Sequence, residues 1–357
     1  MLCGMNRRSA APFVRLRRRL PTLVVLATVA SLVLAGCGGK DAEKKAEPDA
    51  RPTSQPTQGG TQLAAVWPLT GLPAPETTPG HPVMIVKIDN SAASDPQYGL
   101  GSADMVVEEL VEGGITRLAA MFYSKLPTKA GPVRSARASD IGIVTPTHAV
   151  LIASGMAPPT VARLNAAKVR YFTMGAPGVV RAPDGKHDFL HSVFADLPKL
   201  AKSLKKDSVV PASYLPWGQE SDFAGAQPAT TMNVSFSRGS TTSWRYDPQT
   251  KKYVNTNSHA AADDRFKPDS VLVLRVREGD AGYRDPAGNP VPEALFFGKG
   301  QLMLFHNGQL VRGTWAKSGR DGQLSLSTAA GPLKVPAGHV WVELLPNKKS
   351  GGDVRFN

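Results

Sequence analysis

Cysteine is scarce in this chain, with two in 357 residues, Cys3 and Cys37. Everything beyond Cys37 is therefore free of thiols, which excludes cysteine catalysis, thiolate metal sites and structural disulfides from the body. Acidic residues are absent ahead of Cys37. An apolar run of spanning length is missing too: Leu20 to Leu34 gives about 15 residues, and a membrane helix needs about 20. Aromatics make up 7% of the chain. No basic stripe is interleaved with them and no nucleic-acid module signature occurs, so a nucleic-acid partner is not expected.

What is present at the N-terminus defines an address. An arginine-rich start precedes the apolar run and then Leu34-Ala35-Gly36-Cys37. Charged start, short apolar core and small residues before the cut make a secretory signal peptide over residues 1–36. The ending resembles the lipobox of bacterial lipoproteins, which implies diacylglyceryl transfer to the Cys37 thiol and cleavage in front of it. A plain signal peptide or a single anchor is the alternative. Arg7-Arg8 and Arg17-Arg18-Arg19 leave both the general secretory and the twin-arginine routes open. The net charge of +13, less the six arginines of the leader, leaves +7 for the mature chain. A modestly basic body suits an anionic membrane or wall surface. The expected location is the outer face of the cell membrane.

Residues 37–65 are Gly, Lys, Asp, Glu, Pro, Ser, Thr and Gln with almost nothing apolar, and read as a disordered tether. Its ~28 residues reach on the order of 30 Å. The pattern after it predicts an α+β protein. A mixed α/β N-terminal domain, 66–215, carries a charged β-hairpin, and a small antiparallel β domain, 228–350, follows a Pro- and Gly-punctuated boundary.

In the first domain Val83 to Ile88 is a strand ending in Asp89-Asn90. Asp104 to Lys125 reads as a hairpin closed by a two-residue turn at Gly113-Gly114. That register sets Leu110 opposite Arg117 and Glu108 opposite Ala119, with Arg117 diagonal to both Glu108 and Glu112. Gly131-Pro132 breaks the chain, and Val133 to Ile143 is expected to begin a helix bearing Arg134 and Arg137. His148 to Ala153 reads as a strand, Pro159 to Val169 and Val193 to Lys205 as helices. Beyond the boundary only strands are expected, including a hairpin turning at Asn307-Gly308.

Ile88-Asp89-Asn90-Ser91, Gly101-Ser102-Ala103-Asp104, Val111-Glu112-Gly113-Gly114-Ile115-Thr116-Arg117, Gly131-Pro132-Val133-Arg134-Ser135-Ala136-Arg137 and Gly313-Thr314-Trp315 together resemble the YerB-like family of bacterial lipoproteins, a family of unknown function. The resemblance runs from about Trp67 to Pro346. It implies a lipid-anchored extracytoplasmic protein with an N-terminal and a C-terminal module, and no settled reaction. It also implies a His-Asn pair where this chain has His187-Asp188, with no counterpart for His191.

The candidate ligand-binding residues are Asp89, Asn90, Glu112, Arg117, Arg134, Arg137 and His187. Asp89 and Asn90 close a strand, where ligand groups gather in α/β folds; turn chemistry is the plainer account. Arg134 and Arg137 offer two guanidinium forks to a phosphate or carboxylate, or simply pair with the glutamates. Glu108 and Glu112 lie about 13 Å apart along a strand, too far for a glycosidase pair, which needs roughly 5–9.5 Å.

His187-Asp188-Phe189-Leu190-His191 has Asp in place of Glu in the zinc motif His-Glu-x-x-His and lacks a third ligand, so no metal is expected. Ser203-Leu204-Lys205-Lys206 and Lys317-Ser318-Gly319 mimic penicillin-binding-protein motifs without the Ser-Asp-Asn element. No cofactor motif stands out. The expected function is an envelope lipoprotein that binds an anionic wall component or a protein partner. A cell-envelope hydrolase or transferase using Asp89, Glu112 and His187 is the alternative.

Overall fold

The computed structural model describes residues 65–77, 79–204, 210–224 and 227–357. The leader, Cys37 and the tether as far as residue 64 lie outside the described residues. The rest is mostly β, with few and short helices. Five N-terminal strands are β1 (Met84–Asp89), β2 (Met105–Leu110), β3 (Thr116–Phe122), β4 (Val150–Ile152) and β5 (Arg170–Phe172). They run in the order β2-β3-β1-β4-β5. β3 is antiparallel to both neighbours, whereas β4 and β5 are parallel to β1. Their apolar runs are nearly continuous because both faces of the sheet are covered.

The sheet continues across the Pro- and Gly-rich stretch. Val340–Pro346 pairs in parallel with β2, and Ser270–Arg284 pairs in parallel with Val340–Pro346. Gly298–His306 and Gln309–Lys317 extend it as the hairpin expected at Asn307-Gly308. Asn307 and Gly308 both have positive φ, 51° and 70°, the conformation a primed two-residue turn needs.

One face packs the helices α1 (Asp140–Val144) and α2 (Pro158–Ala166), bringing Ile141, Ile143 and Leu164 against Ile85, Val107 and Ala119. The other face packs a four-stranded sheet (Lys252–Asn255, Thr241–Asp247, Thr231–Ser235, Asp353–Phe356) and α3 (Leu197–Ser203). Met232, Trp244 and Leu200 there meet Val86, Ile88 and Leu118.

Three local expectations change. The turn after β2 is a three-residue 3-10 turn, Glu112–Gly114, rather than a two-residue one. It is closed by Val111 N–H donating to Ile115 O at 2.9 Å. The extra residue slips the register by one, so Glu109 faces Arg117, Glu108 faces Leu118 and Leu110 faces Thr116. A one-residue slip exchanges the faces of every side chain on one strand relative to the other. Arg117 therefore does not lie between Glu108 and Glu112.

The helix expected from Val133 shrinks to α1. The backbone before it is claimed by neighbours: Arg134 N–H donates to Lys87 O at 2.8 Å and Ala136 N–H to Gly155 O at 3.1 Å. Donors satisfied by other segments do not need a helix. Finally, Val193–Ala195 is a strand paired with Val179–Arg181, and α3 starts only after Asp196 caps Lys199 N at 2.9 Å.

Candidate functional site

The register divides the charged residues of the hairpin between two faces of the sheet. On the helix-covered face stand Lys87, Asp89, Glu109 and Arg117; on the other stand Asn90, Glu108 and Thr116. Each face builds a different site.

On the first face, Glu112 gathers two arginines. Its Oε1 accepts from Arg117 Nη2 at 3.0 Å and also from Arg137 Nη2, while Oε2 accepts from Arg137 Nε at 2.8 Å. Burial pushes the Glu112 carboxyl up, but Arg137 and Arg117 more than reverse this and hold it down at about 2. Burial and the Arg137 charge pull Arg117 down to about 10. Arg117 Nη1 donates to Ser135 O at 2.9 Å, which fastens the extended segment before α1 to the sheet. Opposite Arg117, Asp89 meets Arg134 Nε at 2.9 Å and His191 Nε2 at 3.6 Å. Arg134 also donates to Leu190 O at 3.0 Å.

Beside them lies a group absent from the candidates. Lys87 is fully buried and donates to Glu109 and, at 2.7 Å, to Asp140 Oδ1. Ala119 stands between β1 and β2 at this level, and its single methyl leaves room for the two long side chains to meet. Burial pulls the Lys87 ammonium down, and the Asp140 and Glu109 charges more than reverse it, leaving it raised. Glu109, sharing that ammonium, is pushed by burial to about 7. Asp140 Oδ2 accepts from Arg137 N–H at 2.7 Å and so joins the two groups. A lone lysine inside the apolar run Val83 to Ile88 was the available signal, since a lysine is almost never buried unpaired.

Five candidates therefore come together on one face: Asp89, Glu112, Arg117, Arg134 and Arg137. His187 does not join them. Its ring contacts Asp184 at 2.9 Å and Ser94 O at 3.2 Å and sits edge-on to Tyr98 and Phe194. His191, not His187, reaches Asp89. Among the described residues no group of three or more His, Cys, Asp or Glu is arranged to hold a metal ion.

Asn90 belongs to the second face, in a polar cavity of about 260 Å³. Asn90, Glu108 and Thr116 form one wall and Ser240, Thr241, Thr242, Asn255, Asn257 and His259 another. Glu108 is its floor. Oε1 accepts from Asn90 Nδ2 at 3.0 Å and Thr242 Oγ1 at 2.9 Å, and Oε2 from Thr242 Oγ1 at 2.9 Å and Trp341 Nε1 at 3.2 Å.

Directly opposite on the next strand is Glu343, whose Oε1 accepts from Trp244 Nε1 at 2.9 Å. Its Oε2 finds no N–H or hydroxyl donor. Burial raises both carboxyl groups, Glu343 well above its ordinary value with Glu108's charge adding to the effect. A lone glutamate in the apolar strand His339 to Leu345 was the sequence signal for it. Thr242 carried none.

Residues 69–210 match the family model described as "Protein of unknown function (DUF3048) N-terminal domain", and residues 232–342 match its C-terminal domain. The chain is 26% identical over 293 residues to "Putative lipoprotein YerB" of Bacillus subtilis (strain 168), covering 78% of this chain and 86% of that protein. A crystal structure of the YerB protein from Bacillus subtilis superposes with a TM-score of 0.66 at 20% identity, over 82% of this chain and 99% of that one. Both domains of the family are thus present, in order, on the fold of a family member, and the chain belongs to this YerB-like two-domain family of unknown function.

Proposed function

We propose that the protein is an exported lipoprotein, held at the outer face of the membrane through a lipid on Cys37, whose body binds a cell-envelope component in the cavity floored by Glu108. The observation that carries the binding reading is the make-up of that cavity. Asn90, Glu108 and Thr116 come from the N-terminal family domain, and Ser240 to Thr242, Asn255, Asn257 and His259 from the C-terminal one. A concave site lined by convergent polar groups is where ligands are generally held.

The arginines support an anion site less well. Arg117 and Arg137 share Glu112, and Arg134 is on Asp89. An anion entering there has to displace a buried carboxylate from its partners, and breaking such a pair costs about 3–5 kcal/mol. The anchor reading draws on the lipobox and on the lipoprotein relative. No helix among the described residues is long and apolar enough to cross a membrane.

Two measurements test this. Metabolic labelling with an alkyne fatty acid is expected to mark the wild-type chain and to leave Cys37→Ser unlabelled and released from membranes; label on Cys37→Ser would refute the anchor. Sedimentation of the full chain, purified in detergent, with cell-wall sacculi is expected to retain it. Asn255→Ala combined with His259→Ala is expected to lower retention by tenfold or more, and Arg134→Ala to leave it unchanged. The reverse pattern would return the site to the arginines.

A second reading, an envelope hydrolase, has one contact in its favour. His191 lies between two carboxylates, Asp188 at 2.8 Å on Nδ1 and Asp89 at 3.6 Å on Nε2. Muropeptides incubated with the protein would then gain the mass of water; unchanged masses dismiss it.

A further inference from the structure

We infer that the cavity between the two family domains takes an uncharged, hydroxyl-rich ring, a single saccharide unit of a glycan. The inference rests on the binding reading above and gives it a ligand class. It follows from which groups in the cavity are already occupied and which are left.

Glu108 is the only carboxylate in the lining, and three donors already hold it. Asn90, Thr242 and Trp341 donate to its two oxygens. A carboxylate offers about four acceptor sites, and this one is 1% exposed, so it presents little to a ligand ammonium. Glu108 acts instead as a positioning residue. It fixes the Asn90 amide and the Thr242 hydroxyl, and the Asn90 amide also donates to Thr116 Oγ1 at 2.9 Å.

What still faces the cavity is hydroxyl, amide and imidazole. The hydroxyls of Ser91 and Ser240, the amide nitrogen of Asn255 and the ring of His259 line it with no hydrogen-bond partner of their own among the described residues. The hydroxyls and the imidazole can donate to or accept from a ligand hydroxyl, and the amide nitrogen can donate to one. No lysine or arginine lines the cavity. A phosphate or carboxylate entering it leaves water without gaining a counter-charge, which is costly.

A peptide is also a poor fit. Extended peptides are gripped by strand addition with side-chain pockets, and helical ones by apolar grooves. Here the apolar lining is Ala92 and Ile115 alone. The cavity's 260 Å³ lies just under the roughly 300–1,000 Å³ of drug-sized sites, a scale for one ring rather than a chain.

Trp341, hydrogen-bonded to Glu108 behind the floor, gives an optical report. The full chain in detergent is titrated, by tryptophan fluorescence and by calorimetry, with a β-linked N-acetylglucosamine tetramer and a β-glucan tetramer. Inorganic phosphate and an alanine pentapeptide amide are the other arms. At least one saccharide is expected to bind, with phosphate and the pentapeptide silent.

Ser240→Tyr, which fills the cavity from its rim, is expected to raise the saccharide Kd at least tenfold. Asn255→Ala is expected to raise it at least threefold, and Lys299→Ala, on a strand away from the lining, to leave it unchanged. Saccharide binding that is absent, or indifferent to both Ser240→Tyr and Asn255→Ala, overturns the inference. Sacculus retention then separates the two readings. If Ser240→Tyr still abolishes retention, the cavity binds another chemistry and only the saccharide falls; if retention is unaffected, the cavity reading falls with it.

Discussion

Replacing Lys87 by alanine is expected to destabilise the protein by about 3–5 kcal/mol near pH 8, the range for breaking a buried ion pair from one side. The loss comes from what is left behind. Lys87, Glu109 and Asp140 are all fully buried, so the alanine variant strands two carboxylates with no cation between them.

The pH dependence identifies the cause. Glu109 is held at about 7 even with Lys87 present, and removing the ammonium raises it further. A carboxyl whose folded value is raised adds stability that is complete below its unfolded value, near 4.5, and that disappears as pH rises through the folded value. Lys87→Ala is therefore expected to be much less damaging at pH 5, where Glu109 is protonated, than at pH 8. Urea unfolding at the two pH values measures it. An equal loss at both would mean that packing, not charge, is the source. Lys87→Met, which restores volume without charge, is expected to keep the pH dependence and recover only the packing part.

The same residues show how far the sequence could be read. Val83 to Ile88 announced β1, and Asp89-Asn90 announced its polar end, because β-branched runs and their punctuation are local properties. The turn was also visible, but its length was not. Gly113 and Gly114 both have a φ of +72°, which suits several turn types. The choice of a three-residue turn depends on tertiary contacts such as Ser237 Oγ donating to Gly114 O. From that one residue follows the register, and from the register the faces.

Asn90 and Asp89 are neighbours in sequence yet point into different sites on opposite faces. Glu343 lies 235 positions from Glu108, and only the parallel pairing of Val340–Pro346 with β2 brings them together. The arginines were expected at a helix start, either free to bind an anion or paired with the glutamates. They turn out to be bound on an extended segment, because its backbone donors are taken by Lys87 and Gly155.

Glu112→Ala carries the second large expected effect, again about 3–5 kcal/mol at neutral pH. It leaves Arg117 and Arg137, both nearly fully buried, facing each other without the carboxylate that Oε1 and Oε2 share between them. Both guanidinium groups lose the carboxylate whose charge raises them, which leaves two like charges buried side by side.

The sign of the pH effect is opposite to that at Lys87. Glu112 has a folded value of about 2, so its contribution is present above the unfolded value near 4.5 and is lost as pH falls toward 2. The variant is expected to lose this acid limb: wild type weakens between pH 4.5 and 2, and Glu112→Ala changes less over that range. Acid unfolding followed by circular dichroism tests this, and parallel acid limbs would assign the loss elsewhere.

Since Arg117 holds Ser135 O, amide exchange in residues 133–139 is expected to quicken in the variant. The cavity lies on the far side of the sheet, where Glu108 is held by Thr242, Asn90 and Trp341 rather than by any arginine. Glu112→Gln, which keeps the shape and drops the charge, is therefore expected to lower stability while leaving ligand affinity in the cavity unchanged. A matching loss of affinity would mean that the two faces act as one site, coupled through the turn that joins β2 to β3.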